Sequence, residues 1–271
     1  MSSQLHEQQA GFTIIELMIS ITILAVMLTI GTVVMLRIGG LYDKGVSSSN
    51  LQGTTRAILS DVSSDIQFSG DTPTICAPTT YTPGLSNACS GSYSSTYQFG
   101  NANINEYAYC IGTTRYSFIL DGEIGIDNAT NSVTGANADT NTADVLWRDT
   151  LEKSSDSCVP VNLNDPTNTT STYPGYQANA EAAAGSGEEM MSNDTRLTNF
   201  SIVPVAVDGT DIYQITVSSA FGNSSLLNIN TSNQLTATAP NTTTCKSQID
   251  SSASEFCSTS SLSTTSEERN Y

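Results

Sequence analysis

The sequence predicts an α+β fold: one long N-terminal helix, half membrane-spanning and half amphipathic, packed on an antiparallel β-sheet head. Three observations carry that prediction. Residues 12–36 form an apolar run with a single charge, followed by a stretch with helical apolar spacing. Farther on, short runs of alternating apolar residues are separated by Ser/Thr/Asn/Gly-rich loops, the pattern of strands and turns. All six cysteines, Cys76, Cys89, Cys110, Cys158, Cys245 and Cys257, lie beyond the apolar run.

The apolar run comes first. From Phe12 to Leu36 only Glu16 is charged, and a helix of that length extends about 37 Å, enough to cross a bilayer with some tilt. A soluble core helix would show a polar face, whereas here the polar residues are Ser20, Thr22, Thr29 and Thr32, whose hydroxyls can bond back to helix carbonyls. A cleaved secretory signal has a basic start and a shorter apolar core. The run is too long for one, and residues 1–11 contain neither Lys nor Arg.

Beyond Leu36, Gly39 and Gly40 weaken the helix by about 1 kcal/mol each relative to Ala and are places where it can bend. The helix resumes through Leu51, Ile58, Val62 and Ile66, which share one face and are expected under a sheet, with Asp61 and Asp65 on the outer side. It ends near Ser69-Gly70, because Asp71-Thr72-Pro73 cannot continue it. The head follows. Residues 116–120, 144–149, 199–207 and 211–220 read as strands, the last two joined through Asp208-Gly209-Thr210 as a hairpin. Pro204 marks an edge strand or a bulge. EAAAGSGEEMMSN, residues 181–193, is expected to form one or two helical turns.

Six cysteines with no CxxC pair, and His6 as the single histidine, point to three disulfides in an oxidising compartment rather than to zinc. Cys245–Cys257 and Cys76–Cys89 each close a short loop-like segment, which leaves Cys110–Cys158. Fifteen connectivities are possible, so this pairing is an expectation.

Composition narrows the function. Lys+Arg is 9 against Asp+Glu 26, a net charge of −17 that repels phosphate backbones, so no nucleic-acid partner is indicated. The single histidine, His6, lies ahead of the apolar run, which leaves no ordinary nucleophile–base triad or HExxH zinc site in the head. No catalytic residue, no cofactor and no metal site are expected. Asp121 with Glu123, or Asp144 with Asp149, are carboxylate pairs by composition only. DGEIGID, residues 121–127, lacks the EF-hand spacing and reads as a turn. Asn-x-Ser/Thr triplets such as those at Asn128 and Asn199 arise by chance in so Asn-, Ser- and Thr-rich a chain, and Trp147 and Tyr213 sit on strand patterns as core residues.

A glutamate in a membrane helix costs roughly 2.5–3.5 kcal/mol on insertion scales, so Glu16 needs a reason. GFTIIELMISITILAVML, residues 11–28, resembles the N-terminus of the type IV pilin family, shared by pilins, minor pilins and type II secretion pseudopilins. The resemblance implies cleavage by a prepilin peptidase between Gly11 and Phe12, N-methylation of Phe12, and a role for Glu16 in assembly. The amine created at Phe12 of one subunit would meet Glu16 of its neighbour, lowering the cost of both charges and fixing the axial step between subunits. Family leaders usually carry Lys or Arg before the glycine. Here Glu7 stands in the leader and Arg37 and Lys44 follow the helix, so the positive-inside rule alone favours the opposite orientation. The cysteines and the peptidase motif place the leader in the cytoplasm. The layout of the head, with weak local similarity around RLTNFSI and IYQITVSSAFG, resembles the larger minor pilins of the W and J types.

These expectations divide the chain into a leader (1–11), a transmembrane part of the helix (12–36), its outer part (37–70) and a β-rich head (71–271). The function they imply is that of a non-enzymatic structural subunit of a type IV pilus, most naturally a minor pilin. The alternatives are a type II secretion minor pseudopilin and, from another class, a membrane-anchored adhesin or receptor ectodomain that never polymerises. The implied partners are prepilin peptidase, other pilin and minor pilin subunits, an inner-membrane assembly platform and membrane lipid. The implied location is the cytoplasmic membrane as a single-pass precursor, then the pilus or cell surface.

Overall fold

The computed structural model describes residues 12–77, 85–86, 96–99, 102–120, 123–124, 141–142, 145–151, 158–161, 163, 187–192, 195–207, 210–222, 226–228, 244–246 and 257–269. They fall into two units that divide between Asp43 and Lys44. One helix, α1 (Ile14–Ser69), contributes to both.

In the first unit α1 is apolar and its large side chains, from Phe12 to Tyr42, are exposed. It is long and apolar enough to cross a membrane. Its hydroxyls are satisfied within the helix: Ser20 Oγ donates to Glu16 O at 2.7 Å, and Thr22, Thr29 and Thr32 donate to carbonyls three or four residues back at 2.8 Å. Without water, each such group would otherwise be an unpaid desolvation cost. The helix runs unbroken through Gly39 and Gly40. It stops at Gly70, whose φ of +64° is the left-handed conformation that ends helices at little cost only for glycine.

The second unit is built around the α1 face predicted to be buried. Leu51, Ile58, Val62 and Ile66 are each at most 1% exposed. Thr55 completes the seam; its hydroxyl bonds to Leu51 O at 2.7 Å and to Ser219 Oγ at 2.6 Å, so a polar residue enters the seam fully paired. Asp65 departs from expectation. It points at the sheet, where its carboxylate accepts from Tyr116 Oη at 2.5 Å and Arg148 Nη2 at 3.4 Å. Four residues from Asp61 and next to buried Ile66, it sits at the margin of the buried face, and two donors there outweigh hydration. Burial, and then Asp65, hold the Tyr116 phenol well above its ordinary pKa.

The strands are, in order, β1 (Thr74–Cys76), β2 (Thr96–Phe99), β3 (Ala102–Ile111), β4 (Thr114–Ile119), β5 (Glu123–Ile124), β6 (Asn141–Thr142), β7 (Leu146–Thr150), β8 (Glu188–Glu189), β9 (Thr195–Val207), β10 (Thr210–Phe221), β11 (Leu227–Asn228), β12 (Thr244–Cys245) and β13 (Ser258–Glu267). They make two main sheets rather than the single sheet expected. One runs β1-β3-β4-β7-β8 with β2 beside β3; the other runs β13-β10-β9-β5-β6. Among the described residues all pairings are antiparallel except β5 with β6, and β11 and β12 form a separate pair. The sheets share one core in which Tyr109 and Phe200 meet edge to face at 5.1 Å, with Phe118 5.0 Å from Phe200. The Tyr109 hydroxyl accepts from Ile202 N at 3.3 Å, tying the first sheet to the backbone of the second. Dividing the strands between two sheets lets aromatic side chains from both stand over one helix face.

Local chemistry explains the joints. The β3–β4 hairpin turns through Gly112 at φ +58°, where a Cβ would also stand 3.0 Å from Ser69 Cβ at the helix end. The β9–β10 ladder closes at Val207 and Thr210, flanking Asp208-Gly209 as predicted. Pro204 sits beyond the one β5–β9 pairing, at Arg196, where its missing donor interrupts no described ladder. Where the expected helical turns of residues 181–193 are described, at 187–192, the chain is not helical: Glu188–Glu189 is strand β8, and residues 181–186 and 193 lie outside the described set. The reason is visible at Gly187, which packs so close to the Trp147 indole that a Cβ would collide with it, and at Glu189, whose carboxylate accepts from the amides of Val145, Leu146 and Met191. Those bonds favour an extended segment over a helix.

Two predictions follow from the packing. Ile58→Ala should lower the unfolding free energy by about 2–5 kcal/mol, as removal of a fully buried aliphatic group does, measured by denaturant titration of the full chain in detergent. Glu268 is buried, and its Oε2 has no hydrogen-bond partner among the described residues. Burial, then Asp211 and Asp71, raise its pKa. The native chain therefore takes up that proton before the unfolded chain as pH falls from neutral, so acidification toward the upper carboxylate range stabilises it. Glu268→Gln should melt higher than the parent at neutral pH, with the gap narrowing as pH is lowered through that range.

Candidate functional site: the start of the long helix

Phe12 precedes the helix and is 81% exposed; Thr13 is its N-cap and Glu16 its third residue. Leu17 N donates to Thr13 O at 3.2 Å, the first bond of the helix. Thr13 Oγ1 accepts from Glu16 N at 3.3 Å, and Glu16 Oε2 accepts in return from Thr13 N at 3.1 Å and Thr13 Oγ1 at 3.0 Å. This is a reciprocal capping box, in which Thr and Glu three residues apart satisfy backbone donors that the first turn leaves free. The carboxylate also lies at the positive end of the helix dipole, where negative charge is favoured. Glu16 thus has a role inside its own chain. The signal for it in the sequence is Thr13-x-x-Glu16 ahead of an apolar run. Gly11 lies outside the described residues.

The remaining candidate positions are in the second unit. Cys110 and Cys158 are disulfide-bonded with Cα atoms 5.8 Å apart, as are Cys245 and Cys257. Cys76 is disulfide-bonded too, and its expected partner Cys89 lies outside the described residues. The Cys110–Cys158 bridge fastens a strap, residues 158–161 and 163, to the first sheet, and Val161 and Leu163 of the strap enter the shared core. Buried polar side chains hold that strap. Arg115 Nη1 donates to Val159 O at 2.8 Å, Ser117 Oγ accepts from Val161 N at 3.0 Å, and Glu106 Oε1 accepts from Leu163 N at 3.4 Å.

Of the carboxylates considered for catalysis, Asp149 is buried and clamped by Arg115 through both oxygens, with Nε to Oδ1 at 2.9 Å and Nη2 to Oδ2. A carboxylate locked in that way supports the strap through Arg115. Asp121 and Asp144, and the side chain of Glu123, lie outside the described residues, as do most of residues 121–127. Among the described residues no group of three His, Cys, Asp or Glu is placed to hold a metal ion. Trp147 packs on the core margin, and Tyr213 is a core residue whose phenol is pushed up to about 12 by burial, then by Glu268 and Asp211.

Thr13→Ala should remove the cap and cost about 1 kcal/mol of helix-start stability, seen as faster hydrogen exchange of the first-turn amides with exchange beyond Ser20 unchanged.

A family model described as the prokaryotic N-terminal methylation motif covers residues 8–32, which include Phe12, Thr13 and Glu16. No curated protein and no solved structure matches the chain. The chain therefore carries the prepilin-type signature of type IV pilins, that of a processed pilin- or pseudopilin-like subunit.

Proposed function

We propose that this chain is a structural subunit of a type IV pilus, a minor pilin, and not an enzyme. Prepilin peptidase removes residues 1–11 by cutting between Gly11 and Phe12, and Phe12 is N-methylated. Residues 12–36 hold the precursor in the cytoplasmic membrane, residues 37–70 continue the helix, and the head from residue 71 lies outside the cytoplasm, stabilised by its disulfides. The membrane assembly platform then draws the subunit into a filament with other pilins at the cell surface. The observation that carries this reading is the methylation-motif match over residues 8–32, supported by the apolar run of residues 12–36, whose large side chains its own chain leaves exposed.

In this reading Glu16 acts twice. Within the chain it caps the helix through Oε2; between chains it receives the charged amine of a neighbour's Phe12. In hydrocarbon an unpaired charge is strongly disfavoured, so a subunit is held only at the axial step that pairs the two.

The test separates the two roles. Gln can still close a capping box but carries no charge. Glu16→Gln should therefore insert, be cleaved and keep slow first-turn exchange, yet be lost from sheared filaments; normal incorporation would overturn the ion-pair role. N-terminal mass spectrometry of the mature protein should find N-methylated Phe12, and Gly11→Val should leave a full-length membrane form. An unmodified Met1 on assembled parent protein would overturn the assignment.

A further inference from the structure

The search for a second site ends at the C-terminal strand. All ten residues of β13 pair with β10, from Ser258 with Phe221 to Glu267 with Ile212, and no strand among the described residues pairs with its other side. Long edge strands are normally protected against pairing by lysines, prolines, bulges or a covering element. β13, STSSLSTTSE, has no Lys or Pro, an unbroken register and one charge at its end.

Beside it runs an open groove of about 330 Å³ lined by Arg56, Ser60, Ser63, Ser64 and Gln67, one stripe of α1, and by Thr264 of β13. The two walls are fixed to each other, since Ser266 Oγ donates to Ser63 O at 2.9 Å. The lining is hydroxyl and amide, with Leu59 its apolar part. Arg56 is exposed and makes no ion pair among the described residues, in a chain of net charge −17.

An unpaired ladder edge with a helix alongside is the geometry that accepts an extended peptide as an added strand. Main-chain bonds then supply affinity and alternate side chains enter the groove. A helix would find little apolar surface there. We propose that the groove between α1 and β13 takes an extended, carboxylate-bearing strand of another protein chain, which pairs with β13 and sets its acidic side chain against Arg56. The site is independent of the Phe12–Glu16 end of the molecule and of whether the subunit polymerises.

The test uses the full chain in detergent and two synthetic strand peptides of about ten residues, alternating Thr and Val, with either Asp or Lys at the centre. Hydrogen exchange should show slowed β13 amides with the Asp peptide. Fluorescence anisotropy should show the Lys peptide binding at least about tenfold more weakly. Arg56→Glu should reverse that preference, and Ser64→Trp, which fills the groove from an exposed position, should abolish binding of both. The proposal is overturned if neither peptide slows β13 exchange, if the two bind equally, or if Arg56→Glu leaves the preference unchanged. It is also overturned if β13 is already protected in the free chain and loses that protection on dilution, because the occupant would then be a second copy.

Discussion

The seam of Ile58, Val62 and Ile66 is where both sheets and the helix find their common ground. Each element is insufficient alone. The helix has one apolar stripe in this region, each sheet has one aromatic face, and the three surfaces close only on one another. The rest is arranged around that closure. Tyr109 links the sheets above the seam, Thr55 and Ser63 bond to the strands at its margin, and Asp65 receives Tyr116 at the other margin. Polar groups at the edge of such a seam set the register of helix on sheet, because each would be costly to bury without its partner.

Much of the helix was legible. An apolar run, a four-residue spacing and a Gly ahead of Asp-Thr-Pro are local signals, and the structure obeys them from Ile14 to Ser69. The β9–β10 hairpin was legible for the same reason, as long alternating strands around Asp-Gly. β3 is harder to read: Tyr107, Tyr109 and Ile111 alternate with Glu106, Ala108 and Cys110, and the buried Glu106 gives the stretch a polar look. β13 could not be read from side chains at all. Its Ser/Thr sequence buries little apolar surface, and it is a strand because β10 offers it a ladder.

The site was legible in its residues and incomplete in its physics. In the sequence Glu16 stands out as a charge that a neighbouring molecule could pair. The geometry shows that the same carboxylate first answers a need of its own helix, since the four N–H groups of a first turn have no partner within the helix. The strap over the first sheet was beyond sequence reasoning for a different reason. Arg115, Ser117 and Glu106 look like surface residues until a segment some forty to sixty positions away is laid across them.

The closure of the seam also fixes when this protein can fold. Thr55 bonds to a residue 164 positions later and Ser63 to one 203 positions later. Contacts of such separation form slowly, because chain closure precedes any reward. A chain delivered across a membrane helix first would present Leu51, Ile58, Val62 and Ile66 to water until its last strands arrived. The apolar stripe is then a liability during biogenesis, and loss of the β9–β10 hairpin, which carries Phe200, Ile202, Ile215 and Val217 of the core, would leave the nascent subunit with an open core rather than merely a shortened end.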